Sequence, residues 1–224
     1  MYPKKEQTDG RWVTAGALGL SGIAGFSNSA VLQEGSLAVS HLTGSITRVS
    51  VELAEGDSSN ILPFVIILGA FFSGSVLSGA VVGKKELGAG RRYTLMLAFE
   101  ALIFGVAGAL AQEGIALPSI GLAALACGLQ NALASSFRGL VVRTTHMTGI
   151  VTDLGFHVGQ VLAARRRVEG QFALQFSILG SFTLGGVLGA VASARVGSQS
   201  LYLSALGAAI GAGVYEALRR RDVV

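Results

Sequence analysis

The chain has 224 residues, of which 51% are hydrophobic and only 13% are charged, and its formal net charge is +4. Soluble domains carry about 25% charged residues, so this composition excludes an ordinary soluble protein and predicts an all-α integral membrane protein. The basic residues stand in short clusters between apolar runs, which indicates orientation in a membrane and no binding of nucleic acid. The single cysteine excludes an intramolecular disulfide.

Apolar segments long enough to cross a bilayer follow one another along the chain, each of about 20 residues. Four of them are uninterrupted and lie at 61–82, 93–111, 172–192 and 201–218. Two longer regions, at 12–54 and 117–163, each contain a polar patch, the first at 25–35 and the second at 128–139. Each long region is therefore expected to hold a broken or re-entrant helix and to cross the membrane a net single time.

Charged residues outside these segments predict the orientation, because lysine and arginine favour the cytoplasmic side. Basic clusters near both termini, at 84–92 and at 165–167 are assigned to the cytoplasm, and the acidic stretches at 55–57 and 112–113 are assigned outside. Six net crossings result, with the N-terminus and the C-terminus both cytoplasmic. Since three spans per repeat is an odd number, the two repeats must have opposite orientations. The predicted parts are a cytoplasmic tail (1–11), a first three-span repeat (12–111), a second, inverted three-span repeat (112–218) and a basic cytoplasmic tail (219–224).

The same polar signature occurs twice, about half a chain apart, as His-Leu-Thr-Gly beginning at His41 and His-Met-Thr-Gly beginning at His146. Asn28 and Asn131 precede the two copies at comparable distances. Polar clusters repeated inside apolar sequence are typical of the midplane site of an inverted-repeat transporter. The predicted solute-binding residues are His41, Thr43, Gly44, His146, Thr148, Gly149, Asn28 and Asn131.

In the register of the two signatures, Arg48 corresponds to Asp153 and Glu52 corresponds to His157. On a helix these positions return to nearly the same face as the histidine of their own copy. Because equivalent positions of inverted repeats can meet at the pseudo-twofold axis, we expect Arg48 to face Asp153, where the opposite charges would offset the cost of burial. The four residues form a predicted charge pair or proton relay.

Three stretches carry a family likeness: SHLTG at 40–44, GLQNA at 128–132 and RTTHMTG at 143–149. Together they resemble the signature of the YoaK-like proteins, small bacterial inner-membrane proteins grouped under a domain of unknown function. The resemblance implies the six spans with which that family is usually drawn and a location in the bacterial inner membrane. It implies no activity, because the family has no firm biochemical role to lend. Asn28-Ser29 stands where members often carry Asp-Ala, and Ser45 stands where they often carry Asn.

The start of a resumed helix presents free backbone amides and the positive end of the helix dipole, both of which favour an anion. Arg48 and Arg143 would strengthen that preference, and the histidines and carboxylates could carry protons. We therefore expect a membrane transporter or channel for a small polar or anionic solute, with proton coupling as one mode of action. Its expected partners are the lipid bilayer, the solute and a second copy of the chain packed through glycine-rich helix faces. No enzymatic activity, cofactor or metal is expected.

Structural interpretations of the same residues stay open. The Thr-Gly pairs and the Gly-x-x-x-Gly patterns at 79–83, 185–189 and 207–211 could allow close helix packing, and the histidines could form interhelical hydrogen bonds. Arg48 and Asp153 could fix the interface of the repeats, and Glu100, inside a span, could reach the cytoplasmic side or pair internally. A membrane-embedded enzyme that acts on lipid through the histidines and Asp153 is the alternative function. A non-transporting scaffold or sensor is the third.

Overall fold

The computed structural model of the protein describes residues 4–35, 37–56, 60–82, 90–135, 144–163 and 170–221. This part of the chain is entirely helical, with eight α-helices, one short 3-10 turn and no strand. The prediction of an all-α protein is confirmed. The helices are α1 (Lys4–Gly35), α2 (Leu42–Glu55), α3 (Ile61–Val82), α4 (Arg91–Gln112), α5 (Ala116–Ser135), α6 (Met147–Leu162), α7 (Gly170–Val196) and α8 (Ser200–Arg220).

Five stretches of the described residues are long and apolar enough to cross a membrane. Four of them each lie within one helix, and the fifth, Gly170–Arg220, contains both α7 and α8. Large apolar side chains point away from the bundle, among them Phe72, Leu102 and Leu184, which are 69%, 61% and 61% exposed. Lipid is the environment that suits such a surface, so the apolar exterior supports a multi-pass membrane protein.

Helices α1 and α7 pack backbone against backbone. Gly185 of α7 lies against the backbone of Gly22, and Gly189, one turn later, lies against the backbone of Phe26. Because the contact positions rise together along both helices, α1 and α7 run parallel. A Cβ atom on either α7 glycine would overlap the α1 backbone, so only glycine allows this approach. The predicted packing role of the Gly-x-x-x-Gly pattern at 185–189 is confirmed.

Helices α3 and α5 form a second parallel pair of the same kind. Gly121 near the start of α5 faces Ile66, and Gly128, two turns later, lies against the backbone of Phe71, so the contact positions rise together along both helices. Gly74 of α3 also lies against the backbone of Leu125. The hydroxyl of Ser75 donates a hydrogen bond of 3.1 Å to the Gly128 carbonyl. The pattern at 79–83 behaves differently, since a Cβ atom on its first glycine would meet no described residue within 4 Å. That glycine therefore does not pack the bundle of described helices.

Helices α4 and α8 run antiparallel along their whole length. Near the start of α4, the Thr94 hydroxyl donates a hydrogen bond of 2.9 Å to Glu216, which lies near the end of α8. At the other end, the Tyr202 hydroxyl donates a bond of 3.3 Å to the side-chain oxygen of Gln112. These two bonds tie opposite ends of the pair together and fix its register.

The first helices of the two halves, α1 and α5, also cross in an antiparallel sense. The Gln130 amide of α5 donates to the Leu20 carbonyl of α1, and Gly35 at the end of α1 faces Ile120 near the start of α5. Exchanging α1–α4 with α5–α8 turns each contact between described α-helices into another such contact. Thus α1–α7 becomes α5–α3, α1–α8 becomes α5–α4, α2–α3 becomes α6–α7, and α3–α4 becomes α7–α8. The packing of the two halves therefore corresponds helix by helix.

Helix α1 continues without interruption through the polar patch at 25–35. The first long region is interrupted after this patch, between α1 and α2, and not within it. In the second patch, α5 is likewise helical as far as Ser135, and the remainder lies outside the described residues. The polar side chains of the patch find partners outside α1. Asn28 binds Ser40 in the chain that folds back after Gly35, Ser27 bonds to Ser204 on α8, and Glu34 accepts a bond from Ser193 on α7. The polarity of the patch is satisfied without unwinding the helix.

Candidate functional site

Two asparagines hold the segments that lead into the short helices α2 and α6. The side-chain oxygen of Asn28 accepts hydrogen bonds from the backbone N–H and the hydroxyl of Ser40, at 3.0 and 2.9 Å. In the second half, the side-chain oxygen of Asn131 accepts a bond from the backbone N–H of Thr145 at 3.3 Å. Each bonded residue directly precedes the histidine of its signature. The same contact thus positions both copies of the signature.

Each signature histidine is the N-cap residue of its short helix, and its ring covers the signature glycine. The backbone angles agree, with φ −96° and ψ 68° at His41 and φ −88° and ψ 57° at His146. A Cβ atom on Gly44 would lie 2.8 Å from Nδ1 of His41, and one on Gly149 would overlap the ring of His146. The glycine therefore makes room for the imidazole of its own copy. A role for these glycines in close helix–helix approach is not supported by their nearest atoms.

No described side chain caps the N-terminus of α2 or α6, and neither first turn contains an acidic residue. The first helical bonds run from Ser45 N–H to the His41 carbonyl and from Ile150 N–H to the His146 carbonyl, at 3.1 and 3.2 Å. The N–H groups before them belong to the first turn and have no partner within the helix. Thr43 and Thr148 lie exposed in these first turns. Both signatures thus present uncapped amides at a positive helix end.

Both short helices begin alongside the interior of α1. The Ser21 hydroxyl bonds to the carbonyls of Thr144 and Ile178, at 3.4 and 3.1 Å, which places the approach to α6 at the level of Ser21. The approach to α2 is at the level of Asn28. Within the candidate span Thr14–Gly35, Ser21 is 7 residues from one end and Asn28 is 7 residues from the other, or about 10 Å at the helical rise. The two starts lie inside the span and are displaced toward opposite ends.

A comparison with known protein families identifies the family of the chain. The family model described as protein of unknown function (DUF1275) matches residues 16–214. The chain belongs to the DUF1275 family. The membership expected from the three sequence stretches is confirmed, and the matched region includes both signatures. No curated protein and no solved structure matches the chain.

The structure of this DUF1275 protein does not bring Arg48 and Asp153 together, so the expected pair is not formed among the described residues. Asp153 accepts a hydrogen bond of 2.9 Å from the side-chain amide of Gln175, on the adjacent α7. Arg48 lies exposed on α2, which packs along α3. Helices α2 and α6 share no contact in the described structure. Each short helix packs on a long helix of its own half, α2 on α3 and α6 on α7, so Arg48 and Asp153 have different neighbours.

The other two residues of the predicted relay are half-buried. Glu52 lies on α2, and the His157 ring on α6 lies between the rings of Phe156 and Phe172, with centroid distances of 6.4 Å to each. Their part in proton movement stays a prediction. Arg143, expected to favour an anion, lies outside the described residues.

Buried polar side chains collect where α1, α5 and the approach to α6 meet. Ser21, Gln130 and Thr144 are each fully buried. The Gln130 side-chain oxygen and the Thr144 hydroxyl have no hydrogen-bond partner among the described residues. In the sequence, Gln130 and Thr144 stand out only as members of the family stretches, and Ser21 carries no signal, because serine and threonine are common in membrane helices. These orphaned atoms make the α1–α5 crossing a polar centre in an apolar bundle.

A cavity of about 280 Å³ opens between α1, α4 and α8. Small apolar side chains and the rings of Trp12, Tyr93 and Tyr215 line it, and the two tyrosine rings have centroids 4.7 Å apart. The cavity lies at the beginning of α1 and α4 and at the end of α8. Its lining offers few polar groups to a polar solute, so the candidate solute site is at the starts of α2 and α6 and not in this cavity.

Proposed function

We propose that this DUF1275 protein carries a small polar or anionic solute across a membrane, as a transporter or channel. The observation that supports the proposal most directly is the pair of uncapped helix starts within the depth of α1. Lipid cannot bond to the N–H groups of these first turns. A polar or anionic solute can accept hydrogen bonds from them and is favoured by the positive helix ends.

The proposed architecture is an inverted repeat in which each half contributes three spans and one re-entrant short helix. The antiparallel pairs α1–α5 and α4–α8 and the exchange of contacts between the halves support it. If α1 begins on the cytoplasmic side, the six long helices cross the membrane in alternate directions. The basic stretches at 84–92 and 165–167 then lie on the cytoplasmic side. Helix starts at membrane depth are tolerated where protein or a water-filled cavity surrounds them.

The chemistry of the helix starts favours an anion over a cation. Neither first turn contains a carboxylate, and the N-cap residues are His41 and His146, which become positive when protonated. The acidic residues of the short helices, Glu52, Glu55 and Asp153, lie farther along them, away from the starts. A bound anion would therefore meet amide dipoles and imidazole groups without a facing negative charge.

Flux measurements on purified protein in liposomes test the proposal, with chloride, nitrate, phosphate, acetate and neutral glycerol as probes. Gly149→Ala is the informative variant, because its methyl group displaces the His146 ring from the start of α6. Gly159→Ala, on the same helix, meets nothing within 4 Å and is the matched control. Loss of one hydrogen bond to a charged solute costs about 1.5–3 kcal/mol, so we expect the flux of Gly149→Ala to fall roughly tenfold or more.

Absence of flux for every probe, with correctly inserted wild-type protein, would contradict the transport proposal. Equal flux through Gly149→Ala and Gly159→Ala would contradict the placement of the solute at the signature histidines. Both changes replace glycine with alanine on α6, so a large difference between them reports on the imidazole and not on the general preference of alanine for a helix.

A further inference from the structure

Glu100 is a fully buried carboxyl group near the middle of the 22-residue helix α4. Neither of its oxygens has a hydrogen-bond partner among the described residues. It lies within electrostatic reach of Tyr93 on its own helix and of Cys127 on α5. A buried carboxyl without partners is costly to keep in its ionised form, and inside a membrane it marks a functional site by default.

The helices packed around Glu100 supply no cation to face it. The titratable side chains described on α5 and at the adjoining end of α8 are Cys127, Tyr215 and Glu216, and α3 and the 3-10 turn contain none. The arginines Arg219 and Arg220 bond to Glu216 at the end of α8. Arg91 and Arg92 begin α4, more than two helical turns before Glu100. The described surroundings thus offer Glu100 neither a counter-charge nor an oxygen cluster for a metal ion.

The cavity between α1, α4 and α8 approaches this carboxyl group. Tyr93 and Leu97 line the cavity, and Glu100 follows them on the same face of α4, one turn beyond Leu97. A small opening at Leu97 would therefore connect Glu100 to the cavity. Glu100 itself is fully buried and does not line the cavity, which lies toward the end of the bundle predicted to be cytoplasmic.

We propose that Glu100 is a reversible proton-binding site, neutral in the enclosed conformation and able to exchange its proton when the cavity widens toward it. This rests on the proposed transport function, which it deepens: the solute anion and the Glu100 proton move together. One co-carried proton cancels the charge of a monovalent anion, so the membrane potential no longer opposes its movement. The proton is transferred between water and the carboxylate, and no other bond changes.

Infrared difference spectroscopy of the full-length protein tests the site without any flux. We expect the carbonyl band of a protonated carboxyl at neutral pH, its loss in Glu100→Gln, and its persistence in the control Glu113→Gln, an exposed residue that caps the same helix. Absence of the band in wild type, or its survival in Glu100→Gln, would overturn the proposal. Loss of the wild-type band on adding Na⁺ at constant pH would also overturn it, in favour of a metal cation site.

Thermal unfolding checks the charge state independently, because glutamine matches the neutral acid in shape and charge. A fall in melting temperature of less than about 5 °C for Glu100→Gln supports a neutral carboxyl. A larger fall indicates a paired carboxylate and overturns the proposal. The anion that shows the highest wild-type flux is then tested in liposomes with an inwardly directed proton gradient of one pH unit. This gradient should drive up to about tenfold accumulation of that anion. We expect no such gradient response in Glu100→Gln.

The two proposals fail in different ways. If no panel anion moves through wild type, transport is refuted, while the infrared band still decides whether Glu100 holds a proton. If an anion moves but a pH gradient leaves wild-type accumulation unchanged, transport stands and the coupling role of Glu100 is overturned.

Discussion

Replacing Gly128 by alanine places a methyl group against the backbone of α3. The added carbon would lie 2.7 Å from the carbonyl carbon and 2.8 Å from the Cα of Phe71. Carbon atoms pack best at about 3.5–4.0 Å, and the added carbon would also overlap the Phe71 carbonyl oxygen, so α5 and α3 must separate by at least most of an ångström. Backbone atoms cannot rotate away, unlike the end of a flexible side chain. The separation would also weaken the 3.1 Å bond from the Ser75 hydroxyl to the Gly128 carbonyl.

The two effects set the expected loss of stability. Overpacking costs about 1–3 kcal/mol, and a hydrogen bond contributes about 0.5–1.5 kcal/mol, so Gly128→Ala should destabilise the protein by about 2–4 kcal/mol. In a protein of this size, 1 kcal/mol corresponds to about 2–4 °C, which predicts a melting temperature lower by about 4–16 °C. Circular dichroism during heating in detergent measures the shift.

Gly69→Ala provides the matched comparison, because it lies on α3 and its Cβ atom would meet nothing within 4 Å. It should keep or raise the melting temperature, since alanine favours the helix by about 1 kcal/mol. The counterpart change Gly25→Ala, which overlaps the backbone of Phe182 on α7, should lower it as Gly128→Ala does. A Gly128→Ala protein as stable as Gly69→Ala would refute the close approach of α3 and α5.

Two further changes test the placement of the short helices. Asn28→Ala removes the acceptor of two hydrogen bonds from Ser40, so backbone hydrogen exchange should become faster at 40–45 and stay unchanged at 147–150. Asn131→Ala should have the reverse effect. Unaltered exchange in both variants would argue against these anchors. Cysteines introduced as Thr47→Cys and Thr152→Cys, at exposed and corresponding positions, should react with an impermeant maleimide from opposite sides of the membrane. The native cysteine is fully buried and should stay unlabelled, and labelling of both variants from one side would exclude the inverted arrangement.

Features that depend on local sequence could be predicted. The run of apolar residues from 61 to 82 predicts a long helix by itself, and α3 has those bounds. The repeated signature pointed to His41 and His146, and the matching asparagines proved to hold both copies. Helix propensity could not show that α1 persists through Asn28, because the bond that satisfies this side chain comes from a segment that folds back later in the chain.

The remaining differences arise from three-dimensional placement. The register that matched Arg48 with Asp153 gives no distance between them, because α2 packs on α3 and α6 packs on α7. Glu100 looked isolated in sequence, and its enclosure depends on α5 and α8, which follow it in the chain. Thr144 becomes part of the polar centre only through the hydrogen bond from Ser21, a residue in the other half.

The pairing of α1 with α7, and of α3 with α5, interlocks the two halves, and this has a consequence for biosynthesis. The first helix of each half packs on the third helix of the other, so neither half contains the partner of its own first helix. The α3–α5 pair can close early, because its members emerge near one another in the chain. Helix α1 enters the membrane first and must wait for α7 before its glycine-lined contact forms. A chain interrupted between the halves leaves both fragments with unmatched helices, and chaperone or quality-control factors would meet α1 unpaired for most of translation.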